Sequence, residues 1–198
     1  RHAKVEGDDL HFHFRGKSGK WHDIDLKDRK LAKVVSKMQD LPGQSLFQYK
    51  DKEGQLHHVN SSDVNAYLKE ITGADFTAKD FRTWTGTVAA SLALQELENF
   101  ENETGAKRNI VAAVKSVAEK LGNTPAVCRK SYIHPAIFET YMDGSMVKTL
   151  KQRVEQEISG NISTLKPEEA AVLGLLRGRL QNHKSHGKTA HKTGSKSR

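Results

Sequence analysis

"LHFHFRGKSGKWHDIDL", residues 10–26, decides how the chain begins to fold. Leu10, Phe12 and Phe14 alternate with polar residues, and "KWHDIDL" (20–26) alternates in the same way. A period of two sends successive side chains to opposite faces of a sheet. Two such runs, separated only by Gly16-Lys17-Ser18-Gly19, predict an antiparallel hairpin. Working outward, "AKVEGDD" (3–9) is a candidate third strand. "KDRKLAKVVSKM" (27–38) changes period, with Leu31, Val34, Val35 and Met38 at helical spacing, and Leu41-Pro42-Gly43 ends it. "SLFQY" (45–49) and "LHHVN" (56–60), on either side of Asp51–Gly54, predict a second small hairpin.

From Ser61 the pattern is helical. "SSDVNAYLKEIT" (61–72) has a serine cap and stops at Gly73. "FTAKDFRTWTGTVAASLALQEL" (76–97) opens on Thr77-x-x-Asp80, a capping-box-like start. "NETGAKRNIVAAVKSVAEKLG" (102–122) is amphipathic and closed by Gly122. Thr124 caps a short helix with Pro125 at its first position. After the charged stretch "YMDGSMVKTLKQRVEQEIS" (141–159), Pro167 starts a final helix that ends near Leu180. The last residues, "HKSHGKTAHKTGSKSR" (183–198), are cationic and nearly free of apolar side chains, so they are expected to lack structure. The predicted class is α+β, mainly α: a small N-terminal antiparallel sheet followed by a helical body. It comprises one domain over 1–182, β-rich to residue 60 and helical from 61, with a basic tail.

Composition narrows the function. Against 24 Asp+Glu stand 32 Lys+Arg, a net charge of +8, and the pI is near 9.5. Such an excess suits a polyanionic partner. The single cysteine, Cys128, excludes an internal disulfide framework. No apolar run is long enough to span a bilayer and no signal-peptide pattern is present, so an intracellular, cytoplasmic protein without a membrane partner is expected. Walker, Rossmann and Gly-x-Ser-x-Gly patterns are missing, which argues against nucleotide-driven and α/β-hydrolase chemistry; a small-molecule substrate is not expected. His11-x-His13 could offer two imidazoles on one strand face, but no carboxylate or cysteine stands at a convincing second spacing. No metal or other cofactor is expected. The chain opens without Met, directly into strand-like sequence, and is expected to be a fragment.

Three segments stand out. "FRGKSGK" (14–20) crowds Arg15, Lys17 and Lys20 around glycines, which suits close approach to a phosphate or a proton-donating lysine; a plain solvated turn would look the same. "TAKDFRTW" (77–84) sets Lys79 and Arg82 on one face of a helix start, where cations oppose the helix dipole and an external anion would relieve them. The bland alternative is that Asp80 offsets them and Arg82 covers core surface. "NTPAVCRKSYIHP" (123–135) places Tyr132 nine residues after Asn123 and just after Arg129 and Lys130. A lone tyrosine is usually structural. As a nucleophile its phenol, with a pKa near 10, needs cationic neighbours.

In order and at these spacings, the three segments resemble the catalytic domain of type IB DNA topoisomerases, especially the bacterial and poxvirus-like branch, over about residues 1–150. The resemblance implies a bacterial, nucleoid-associated, monomeric enzyme that relaxes supercoiled duplex DNA without ATP. It implies that Tyr132 attacks a phosphodiester to give a 3′-phosphotyrosyl link, that Arg82 holds the non-bridging oxygens, and that Lys17 protonates the leaving 5′ oxygen. Asn123 binds a phosphate oxygen on this reading, and Lys79, Arg15, Lys20, Arg129 and Lys130 contact DNA. Tyrosine recombinases share the general arrangement with differently written motifs, and a non-enzymatic DNA-binding module is a third reading. Two positions depart from the pattern. The family's first catalytic arginine belongs upstream of the hairpin, where Arg1 lies too near to serve, and slow cleavage is expected without it. Asn123 stands where histidine is common, and its amide donates a hydrogen bond but exchanges no proton at neutral pH. A helix unbroken from Pro125 through Tyr132 would hold Asn123 and the phenol at opposite ends, so both meet one phosphate only if the helix bends or breaks before Tyr132 or DNA reshapes it.

Overall fold

The structure, a computed structural model, describes residues 2–16, 19, 21–97, 100–146, 149–150 and 165–189, the stretch 181–189 by its backbone alone. Lys17, Lys20 and most of the charged stretch at 147–164 lie outside the described residues. Two compact units form, Arg1–Ala78 and Lys79–Arg198.

The first unit begins with three antiparallel strands in sequence order, β1 (Ala3–Glu6), β2 (Asp9–Arg15) and β3 (Trp21–Lys27). The β2–β3 register pairs Leu10 with Leu26 and Arg15 with Trp21, as the alternation requires. Leu10 is buried against Ala3 and, from helix α1 (Arg29–Gln39), Ala32 and Val35. The pleat then turns His11 and His13 to the opposite, solvent side. Asp28 caps α1 by accepting from the Lys30 and Leu31 amides. The second hairpin is present as β4 (Gln48–Lys50) and β5 (Leu56–His58). Helix α2 (Ser61–Thr72) is capped by Asn60 rather than by a serine. The Asn60 side chain accepts from the Ser62 and Asp63 amides while Asp63 takes the Asn60 N–H, a reciprocal pair that a serine one residue later cannot make. Because α2 belongs with the strands, the units divide at Ala78 and not at residue 60, where the β-rich sequence ends.

The second unit holds α3 (Ala78–Glu96, whose first residue closes the first unit), α4 (Glu103–Leu121), α5 (Pro125–Ser131), α6 (Pro135–Met142) and α7 (Pro167–Thr189). α4 buries Ala106, Ile110, Ala113, Val114 and Val117, an i, i+4, i+7, i+8, i+11 stripe that packs with Ala90 and Leu94 of α3 and Ile137 of α6. Alanines in this stripe let the helices approach closely. α7 runs past Leu180 to Thr189, so residues 183–189, expected to lack structure, are helical. Extending a nucleated helix costs little per residue, which local polarity does not reveal. Residues 190–198 lie outside the described residues. Among the described residues, no helix is long and apolar enough to cross a membrane.

Candidate active site

α5 is short because the sequence stops it at both ends. Thr124 accepts from the Val127 amide and Pro125 follows at the first helical position. At the far end His134 precedes Pro135, and the proline ring disfavours a helical residue before it. His134 is extended, at φ −66° and ψ 130°, and its Nδ1 accepts from the Ala136 amide to start α6. The helix therefore breaks at Tyr132, its C-terminal cap, whose N–H donates to Cys128 O at 2.9 Å. The chain thus leaves the helix at Tyr132 and not before it.

The broken segment rests on one face of α3. A Cβ at Gly86 would lie 2.3 Å from Tyr132 O, so only glycine admits the chain there. One residue on, Thr87 Oγ1 accepts the His134 N–H at 3.0 Å and donates to Thr83 O at 2.7 Å. Thr83 Oγ1 in turn reaches Ser131 O at 3.3 Å and Lys79 O at 2.9 Å. Thr83, Gly86 and Thr87 stand at i, i+3 and i+4, the spacing of one helix face. The sequence reading passes over all three, although that spacing is visible within "RTWTGT".

Arg82, beside Thr83, crosses to the tyrosine. Its guanidinium carbon lies 5.0 Å from the Tyr132 ring centroid, a cation–π arrangement. Its Nη2 donates to Leu121 O at 2.8 Å, and Asn123 Nδ2 donates to the same carbonyl at 2.9 Å. Gly122, at φ 67°, and the Asn123 N–H returned to Ala118 O set this loop at the end of α4. Arg82 and Asn123, forty-one positions apart in sequence, thus meet at one carbonyl, and Arg82 also covers the Tyr132 ring. The bond to Leu121 uses one of the five donors a guanidinium carries, and no other acceptor among the described residues takes the rest.

Tyr141 supplies the contrast within the same unit. It is 2% exposed, donates to Leu97 O at 2.6 Å and accepts from Asn109 Nδ2 at 2.7 Å, as a structural tyrosine should. Tyr132 is half-buried at the edge of the core, and its hydroxyl has no hydrogen-bond partner among the described residues. A guanidinium beside an uncommitted phenol is suited to an anion that the phenol attacks.

Lys79 is exposed one helical turn before Arg82, and Lys130 is exposed on α5. Arg129 lies with its guanidinium 4.8 Å from the Phe138 ring centroid, so part of its surface is spent on packing. In the first unit, Arg15 Nε donates to Gly19 O at 3.0 Å and closes the hairpin tip. Among the described residues, the group able to hold a metal ion is His11, His13 and Asp23, also in the first unit.

Comparison with known proteins identifies the family. The family profile described as "Eukaryotic DNA topoisomerase I, catalytic core" matches residues 1–159. The chain is 32% identical over 150 residues to the DNA topoisomerase 1B of Acanthamoeba polyphaga mimivirus, covering 72% of this chain and 45% of the relative. It thus spans less than half the length of that curated relative. The relative is viral and the profile eukaryotic in description, so neither supports the bacterial source implied by the resemblance.

Proposed function

The chain belongs to the topoisomerase I catalytic-core family, and on that premise we propose that it relaxes supercoiled duplex DNA through a transient 3′-phosphotyrosyl link. The observation that carries this reading is the convergence of Arg82 and Asn123 on the Leu121 carbonyl, with the Arg82 guanidinium over Tyr132. When DNA binds, the backbone phosphate takes the Arg82 donors that no protein acceptor uses. Tyr132 Oη gives its proton to solvent as it attacks phosphorus, an O–P bond forms, and the bond to the 5′ oxygen breaks. Arg82 and Asn123 hold the non-bridging oxygens as charge accumulates on them, where preorganised donors are worth most. Lys17, by the family resemblance, gives its proton to the departing 5′ oxygen.

Religation is the same path reversed. The phosphotyrosine retains the energy of the broken phosphodiester, so the cycle consumes no nucleotide, and cationic side chains rather than an ion stabilise the charge. Tyr132, Arg82 and Asn123 come from one chain, which supports a monomer as the acting species.

Incubation with a negatively supercoiled plasmid that carries no recombination site, without ATP, tests this. A ladder of relaxed topoisomers is expected. Activity that depends on a defined pair of DNA sites would replace the reading with a recombinase, and salt-sensitive binding without any relaxation or covalent product would leave a DNA-binding module.

A further inference from the structure

The solvent face of the three-stranded sheet carries a cluster that the tyrosine chemistry does not use. β2 presents His11 and His13, and the register sets Asp25 opposite His11 and Asp23 opposite His13. The Asp23 carboxylate lies between the two imidazoles, with Oδ1 3.1 Å from His11 Nε2 and Oδ2 3.1 Å from His13 Nδ1. The second nitrogen of His11, Nδ1, is 2.5 Å from Asp25 Oδ1. The His13 ring stacks on Trp21 at 4.6 Å and 17°, and lies within 7° of parallel to the His11 ring.

We propose that His11, His13 and Asp23 form a site for one divalent first-row transition ion, with Zn²⁺ the best fit. Two imidazoles and a carboxylate are a standard zinc donor set, and the three available ligand atoms lie within 4.8 Å of one another. Tetrahedral ligands 2.0–2.2 Å from zinc stand roughly 3.4 Å apart, so the observed spacing needs little rearrangement. Asp25 supplies the outer carboxylate that ligating histidines usually have: held on Nδ1, it directs Nε2 toward the ion. Trp21 fixes the His13 ring from the other side. The His11, His13 and Asp23 side chains are 47%, 50% and 62% exposed, which leaves the fourth position to water. Lys4, opposite His11 on β1, is paired with Glu6 at 2.6 Å. An ion here would clamp β2 to β3 four residues before Lys17.

The test is calorimetric titration of the full chain with zinc chloride, alongside variants. The expected result is one saturable site in the parent chain, and also in a triple variant with His183, His186 and His191 replaced by Ala. Asp23→Asn and His11→Gln should each remove that site, and Asp25→Asn should weaken it about 10- to 100-fold. Cobalt bound to the parent chain should give the intense visible absorption of a tetrahedral site, a readout that needs no variant to fold. The proposal is overturned by the lack of saturable binding in the parent chain, by binding unchanged in Asp23→Asn, or by a weak octahedral cobalt spectrum. The first outcome would leave His11 and the two aspartates as a metal-free ion-pair network.

Discussion

The helical unit seats residues 131–134 on a separate helix, whereas the β-rich unit closes its hairpin tip with a residue of the hairpin itself. Residues 131–134 are seated on α3 by a hydrogen bond from Thr83 Oγ1 to Ser131 O, one from the His134 N–H to Thr87 Oγ1, and the close approach at Gly86. At the tip, Arg15 reaches across to Gly19 O. The cores differ in the same sense: among the described residues, nineteen form the helical core and four the core under the sheet. A large packed core gives a fixed platform, on which a half-buried tyrosine can be held with its hydroxyl uncommitted. A thin core leaves strand register as the main constraint. The helical unit therefore fixes the Tyr132 segment beside Arg82 and Asn123, and in the β-rich unit strand register and the Arg15–Gly19 bond set the turn.

Substitutions should separate the two arrangements. The largest effect is expected at Arg82: Arg82→Ala should slow formation of the covalent DNA adduct by about 100- to 1000-fold while the fold persists. Arg82→Lys should recover only part of the rate, because an ammonium lacks the planar fork. Equal rates for the two would mean that charge alone matters. Next is Gly86→Ala, which forces a methyl against the Tyr132 carbonyl. Denaturant unfolding should register a loss of about 3 kcal/mol, the upper end for overpacking. A neutral result would show that the 131–134 segment is free to shift, contradicting a preset nucleophile.

Thr87→Val keeps the shape but leaves the His134 N–H without its acceptor. It should destabilise by about 2 kcal/mol and slow adduct formation, whereas Thr85→Val, on the exposed side of α3, should do neither. In the β-rich unit, Gly19 has φ +73°, and an added Cβ would meet Arg15 Nη2 at 2.9 Å. Gly19→Ala should cost only about 1 kcal/mol, since the strain is that of one left-handed residue and the arginine can move.

The smallest effect is a pH dependence. Hydrogen bonds from the Lys166 amide, and then from Trp84 Nε1, hold the Glu169 carboxyl below its ordinary pKa. A group with a lowered folded pKa binds protons more readily when unfolded, so its stabilisation is complete above the ordinary glutamate value and is lost as pH falls through the lowered one. Trp84 fluorescence, recorded in a Trp21→Phe background, should therefore change below about pH 4.3, the ordinary glutamate pKa. Glu169→Gln should flatten that change, and an unaltered profile would assign it elsewhere.

Much of this was legible in the sequence because local chemistry decides it. Alternation with a Gly-Lys-Ser-Gly turn defines the first hairpin, and the Gly73 and Gly122 stops and the Thr124-Pro125 start fall where the helices end and begin. What stayed hidden depends on partners distant in sequence. Nothing near Leu121 signals that its carbonyl gathers Arg82 and Asn123. The cap at Asn60 was masked by two serines that follow it and are also good caps. The aspartates that answer His11 and His13 become neighbours only through strand register, which a one-residue slip would undo. The break at Tyr132 was half legible: His134-Pro135 marks where a helix cannot continue, but not that α3 has a glycine ready to receive the turn.

The central claim, that Tyr132 is the nucleophile, is tested most directly with a suicide duplex. In that substrate, cleavage releases a short 5′-hydroxyl strand and traps the protein on the 3′ end. The account predicts a denaturation-resistant adduct whose only modified peptide spans 130–151 or a tryptic fragment of it containing Tyr132, and no adduct with Tyr132→Phe. An adduct that persists in Tyr132→Phe, or maps to another residue, would contradict it.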